Sequence, residues 1–391
     1  MAGFSSQDDM INNITTNGKF WRADWTKQMN PTAAAVASEW HSLARGGGNP
    51  QADALFDTGT NLQYQGITDL TTNAGCIQHG GNVGAAGDGY KTILNASAFS
   101  AAATTMPAVL MCVDVIGFTR VTTVTTTTAQ TVVNSNTFTA SSSSGLLATY
   151  ANDWQNYQKV RVTNSGGALP TGLSINTDYW LVRASATTAR FATSYANAIA
   201  GTTIAFTDAG TGTHTLTCRH NRYSDGAGVQ AIFINPAATA MGAGTPGLSL
   251  EPYTNSAGVT TRNTPSTPSL PIAKTAATNS HVLYSGATGA GKYGPFIPLQ
   301  AGDSGIAIGG GTDKIRNNAT MVSGSYSVLY VKPLFSLPLT TLGVAGEREF
   351  TSQLPSFPRV YDGAALYFFL YSGAATPANS AFNGHIDFGW S

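Results

Sequence analysis

Leu169-Pro-Thr-Gly-Leu-Ser-Ile-Asn-Thr-Asp-Tyr-Trp-Leu-Val-Arg183 sits midway through a block that runs from Thr119 to Arg219. The block opens with the threonine run Val121-Thr-Thr-Val-Thr-Thr-Thr-Thr128 and closes with Gly210-Thr-Gly-Thr-His-Thr-Leu-Thr217. Between them, short runs of β-branched and aromatic residues alternate with Gly, Pro and Asn. They are Gln130–Val133, Lys159–Thr163, Asp178–Arg183, Ala189–Thr193 and Thr202–Thr207. Such runs read as strands, and their spacing fits a small sandwich or barrel. Ser194–Gly201 reads as a single helical turn or a loop. The block carries no constellation of catalytic residues, which points to holding rather than reacting.

On either side lie two strongly apolar runs, Ala108–Phe118 and Gly228–Pro236. Direct pairing of the two would make the block an excursion at the tip of one hairpin, where whole domains are tolerated. The chain then divides into an N-terminal arm (1–45), a host β domain in two parts (46–118 and 220–391) and an inserted β module (119–219). In the host, Asn61–Ile67 alternates as a strand does, and His79–Gly89 reads as loop. Pro236–Pro271 is rich in Gly, Pro, Thr and Ser, and reads as a surface loop or an arm along a neighbour. Ser327–Val331 and Ala364–Tyr371 are strands, the second in the core. Lys332–Leu339 carries two prolines and is confined to an edge or irregular position. His385–Ser391 alternates like a final strand. The expected fold is mainly β: a jelly-roll or β-sandwich host domain, a short helical N-terminal arm, and an inserted small β-sandwich or barrel.

In the arm, Ser6 is placed to cap a helix with Asp8 and Asp9 in its first turn. Asn30-Pro31 marks a second helix start, and Ala33, Val36, Ala37, Trp40, Leu43 and Ala44 follow at helical spacing before Arg45-Gly46. Trp21, Trp25 and Trp40 make the arm aromatic. They anchor it either onto its own domain or into a neighbouring subunit, where aromatic anchors dominate.

Only 10% of the 391 residues are charged, against roughly 25% in ordinary globular domains. Hydrophobic content is 42%, so the chain has the material for a core, and its surface is built from neutral polar and small residues. Twenty basic and twenty acidic residues cancel, which argues against a nucleic-acid or anionic-membrane surface. The residues after Met1 show no secretory pattern, and no apolar run approaches the roughly 18 residues of a membrane span. Cys76, Cys112 and Cys218 read as buried free thiols.

Motifs that carry chemistry are weak. Gly286-Ala-Thr-Gly-Ala-Gly-Lys292 has the spacing of a phosphate-binding loop, but Tyr293-Gly-Pro-Phe follows where a helix is required. His214, Cys218 and His220 share one face of a strand, with no fourth metal ligand in sight. Gly302-Asp-Ser-Gly305 matches the surroundings of a protease nucleophile yet reads as a turn. No enzyme, cofactor or metal is expected. Trp154, Tyr157, Tyr179 and Trp180 are a candidate stacking platform for a host glycan, with core packing as the alternative.

Three pieces of the block resemble, in order, a β module of tailed-bacteriophage virion proteins. They are Leu169–Val182, Phe191-Ala-Thr-Ser-Tyr-Ala-Asn-Ala-Ile-Ala-Gly-Thr202 and Thr207-Asp-Ala-Gly-Thr-Gly-Thr-His-Thr-Leu216. Pro338–Phe350 and Leu354–Ala364 also look like phage structural proteins. The resemblance implies an inserted immunoglobulin-like module and a virion role, as a capsid decoration or minor capsid protein. A tail or baseplate position is the alternative. It implies as partners the major capsid protein or tail proteins, and a homo-oligomer made in the host cytoplasm.

Overall fold

The computed structural model describes residues 4–29, 37–53, 55–57, 59–69, 75–80, 90–100, 107–122, 127–141, 146–148, 154–235, 248–265, 281–282, 295–309, 313–317, 324–353 and 357–391. In chain order, α1 (Gln7–Thr15) precedes β1 (Phe20–Gln28), β2 (Glu39–Ser42), β3 (Gly48–Asn49), β4 (Tyr64–Gly66), β5 (Tyr90–Ser100), β6 (Ala108–Thr122) and β7 (Gln130–Thr131). Next come β8 (Ser135–Ser141), β9 (Leu146–Ala148), β10 (Lys159–Ser165), β11 (Asp178–Arg183), β12 (Ala189–Ala192), α2 (Tyr195–Ile199) and β13 (Thr213–Cys218). Then follow β14 (Gln230–Asn235), β15 (Leu248–Leu250), β16 (Thr254–Asn255), β17 (His281–Val282), β18 (Ile306–Ala307) and β19 (Lys314–Asn317). The chain ends with β20 (Ser325–Leu339), β21 (Gly346–Glu349), β22 (Arg359–Tyr361), β23 (Leu366–Ser372) and β24 (Ala381–Gly389). The protein is mainly β, as its strand-forming runs require.

At the centre, β6 and β20 pair along their whole lengths, from Ser325 opposite Thr122 to Leu339 opposite Ala108. In the other direction the order β20-β14-β17-β2-β23-β6 returns to β6, so the ladder closes into a six-stranded barrel. The two apolar runs expected to pair directly, now β6 and β14, are separated by β20. Both are buried on both faces, and the 15-residue β20 gives each a neighbour. Beyond Val331, β20 pairs only with β6, which is the edge position its prolines demand.

A second sheet, β21-β5-β24-β1-β3 with β22 also on β5, lies over one end of the barrel. Trp25, Ile93, Ala96, Phe382 and Ile386 pack there against Leu110, Cys112, Phe335, Leu337 and Phe368. Another face of the barrel gathers Met111, Val113, Ile232, Leu329 and Phe369 around Leu55 and Phe56. β20 takes part in every one of these cores, because bulges near Tyr330 and Pro333 change the side its residues present.

The arm is less helical than its sequence suggests. Ser6 does cap α1, its hydroxyl accepting from the Asp9 N–H at 3.1 Å. The second expected helix is not formed where it is described: residues 30–36 lie outside the described set, Ser38 has φ of +62°, and Glu39–Ser42 is β2, paired with β23. The vacant ladder beside β23 outweighs the helical spacing of Trp40 and Leu43, a tertiary context overriding local pattern.

A six-stranded sheet, β12-β11-β10-β13-β8-β9, is drawn wholly from Ser135–Cys218, and its end strands β12 and β9 lie against each other. The chain enters and leaves it side by side, the Cys218 N–H donating to the Asn134 carbonyl at 2.7 Å. Its limits fall inside the 119–219 block, because Thr119–Thr122 belongs to β6 and Gln130–Thr131 pairs with β19. β8 and β9 were not legible in the sequence. Thr202–Thr207 forms no strand, although the Ile204 N–H reaches the Phe191 carbonyl. The sheet does not own its core: Trp154, Val160, Leu181 and Phe191 pack in one cluster with Tyr64, Ile116, Tyr326 and Tyr330 of the barrel. Leu248, Leu250 and Tyr253 join that cluster, so the described part of Pro236–Pro271 is anchored in the chain's own core.

Candidate functional site

The expected aromatic sites dissolve into the core. Trp154, Tyr179 and Trp180 are at most 5% exposed, and Tyr157 is half-buried beside Tyr195. A sugar needs an open ring face, so these four residues form no stacking platform. Trp25 is buried against Phe368, and Trp40 is half-buried on Tyr371. Trp21 alone of the three arm tryptophans is substantially open, at 45%.

His214 and His220 are each held by protein partners on both ring nitrogens. Nε2 of His220 faces the Ile306 carbonyl at 3.0 Å and must donate, so Nδ1 accepts from the Tyr64 hydroxyl at 2.9 Å. Burial pushes His220 down to about 3, keeping it neutral. His214 lies between Asn164 and the Ala209 carbonyl. Among the described residues no group of three or more His, Cys, Asp or Glu side chains is placed to hold a metal. The three cysteines are free and buried. Gly286–Lys292 lies outside the described residues, and Gly302-Asp-Ser-Gly305 is a turn in which Asp303 accepts from Tyr253, Asn255 and Arg262.

A serine, a histidine and an aspartate do meet, unforeseen in the sequence because they come from β5 and β24. Ser97 Oγ is 2.9 Å from His385 Nδ1, and His385 Nε2 is 3.8 Å from Asp387. A nucleophilic serine also needs spare N–H donors for an oxyanion. Here Ser97 is paired with His385 on one side and Glu347 on the other, so its backbone is consumed by the ladder. Asp387 is meanwhile held at both oxygens by Arg22. The group is a polar ladder on the outer face of the sheet.

Polar order is concentrated where the 135–218 sheet meets the barrel. Arg222 grips Asp114 at 2.6 and 2.8 Å and also donates to the Ile67 and Val115 carbonyls, all out of water. The Tyr195 hydroxyl of α2 donates to Asp69 at 2.9 Å. Burial raises Asp69 to about 6, opposed by that bond and by Arg222 and Lys91. Elsewhere the Lys27 ammonium is enclosed by four carbonyls, of Ala44, Gly46, Pro50 and Gln51, at 2.8–3.3 Å. These are structural fastenings.

Among the described residues, a cleft of about 590 Å³ carries charge of its own. Lys332, Arg348 and Arg359 line it together with Asp225, Tyr223 and Tyr361. Lys332 Nζ donates to the Ala227 carbonyl and lies 5.3 Å from the Tyr223 ring. Burial lowers its ammonium, with Asp225 opposing. Three cations against one carboxylate suit an anionic group. Sequence missed it because its residues come from three distant stretches. A second cleft, about 600 Å³, is neutral and lined mostly by Thr and Gly between β8 and Ala209–His214.

No family model matches the chain, and no curated protein matches it. A solved structure of the infectious bursal disease virus Gt strain aligns over 97% of this chain and 86% of that one, at 7% identity and a TM-score of 0.16, too low to show a common fold.

Proposed function

We infer that the protein is a structural component of a tailed-bacteriophage virion, a capsid decoration or minor capsid protein that acts through subunit contacts. The observation that carries this reading is the poverty of charge on its exterior. The chain has twenty basic and twenty acidic residues, and among the described ones eight are buried: Lys27, Asp53, Lys91, Asp114, Arg222, Asp313, Asp362 and Asp387. Fewer still of these scarce charges are then left on the outside. Few charges have to be stripped of water when such a surface meets a neighbour, and many copies multiply a modest contact. The resemblance of Leu169–Val182, Phe191–Thr202 and Thr207–Leu216 to a phage virion module supports the same class. Immunogold labelling of intact particles tests it. Label on the head is the expected result; label on the tail overturns the decoration assignment, and unlabelled particles overturn the virion role.

A further inference from the structure

Lys91 of β5 and Asp362, which follows β22, meet out of water. Nζ is 3.6 Å from Oδ1, and the side chains are 0% and 9% exposed. Lys91 is paired with Val360 across the ladder. Asp362, two residues on, is therefore its diagonal neighbour on the same face, within reach of a long side chain. A second carboxyl group adjoins. The Asp69 N–H donates to the carbonyl of Gly363, next to Asp362, at 3.2 Å, and Asp69 Oδ1 accepts from the Tyr195 hydroxyl. We propose that Lys91 and Asp362 condense into an amide, with Asp69 carrying the proton, so that β5 is joined covalently to the segment after β22.

The surroundings favour the uncharged forms that this reaction needs. Burial lowers the Lys91 ammonium, with Asp362 and Asp69 opposing, and burial raises Asp69 to about 6. Passing a proton from the ammonium to Asp362 removes two buried charges and leaves an amine beside a carboxylic acid. Nζ donates to the His79 carbonyl at 3.3 Å and to the Gly80 carbonyl at 2.7 Å. A neutral amine has two N–H donors, so with both on carbonyls its lone pair takes the remaining direction, on the side of Asp362. The Nζ–Cγ bond then forms and one Cγ–O bond breaks. Asp69 takes a proton from Nζ and returns one to the departing hydroxyl, which leaves as water. One amine and one carboxylic acid give one amide and one water, with no oxidant or cofactor. Fixed neighbours supply the proximity that free groups lack, and the dry site protects the product from hydrolysis. The cross-link stands independently of the virion reading.

Intact-mass spectrometry of the purified full chain is the test. The expected mass is one water below that of the sequence, and a tryptic digest should yield a branched peptide joining Lys91 to Asp362. The full sequence mass overturns the proposal. Asp362-Gly363 has a second way to lose water, by closing on its own backbone as a succinimide, and Lys91→Met separates the two. A water loss abolished by Lys91→Met supports the cross-link, and one that survives overturns it. Asp69→Asn keeps the size of the side chain and should show the full mass in a chain whose circular dichroism matches wild type, whereas Asp69→Glu should still link. Complete linkage in Asp69→Asn overturns the proton-carrying role.

Discussion

Arg222 and Asp114 stand 108 positions apart in sequence and share a pair of hydrogen bonds, both side chains buried. Arg222→Met would strand the carboxylate, and breaking a buried pair in this way costs about 3–5 kcal/mol. A urea midpoint within error of wild type would contradict the prediction. Lys27 gives a second. Burial holds its ammonium down at about 8, with Asp53 opposing, against roughly 10.4 in an unfolded chain. Between those values the unfolded state binds the extra proton, so this group makes stability rise with pH, by up to roughly 3 kcal/mol. Cys76, raised by burial to about 12, acts in the opposite sense, so the lysine's share is isolated by comparing wild type with Lys27→Met from pH 7.5 to 10. Equal slopes in the two proteins would refute it. Neither fastening was legible in the sequence, where nothing marks which of the scarce charges face inwards.

The best-read elements were those whose pattern and environment agree. Asp178–Arg183 is β11 to the residue, and the apolar run after Ala364 is β23. The second arm helix failed because a ladder site, invisible locally, claimed Glu39–Ser42. The aromatics of the candidate platform were legible as rings but not as core, since the partners that cover them, Phe191 on Tyr179, Tyr195 on Trp180 and the barrel's share of the cluster around Trp154, meet them only in the fold. One contact sets how α2 meets the barrel: a Cβ added at Gly363 would come 2.9 Å from the Tyr195 ring. Gly363→Ala should therefore push α2 off its seat and cost about 1–3 kcal/mol. Paired with Tyr195→Ala, which clears the space, the cost of adding the methyl should largely vanish. A double-mutant cycle with no coupling would disprove the contact's role.

At the scale of the molecule, the adjacent ends at Asn134 and Cys218 make it simple to replace residues 135–217 with a short turn. The shared core predicts the outcome. Tyr64, Ile116 and Tyr330 lose their cover, so the shortened chain should bind a hydrophobic dye and melt earlier; a trimmed chain as stable as the whole would show an autonomous module. The neutral exterior makes a further prediction about assembly. Contacts that do not rest on exposed ion pairs are insensitive to screening, so on the proposed virion role the protein should stay bound to phage particles through a wash in molar salt. Its release there would favour charge-based attachment.

β20 is a wall common to the three largest cores among the described residues, contributing Tyr326, Leu329 and Phe335 to a different one each. None of these three can then melt while the others persist, because each would lose the strand it is built on. Despite its several sheets the protein is one cooperative unit: calorimetry should record a single endotherm, and the amides of β20 should be among the last to exchange with deuterium.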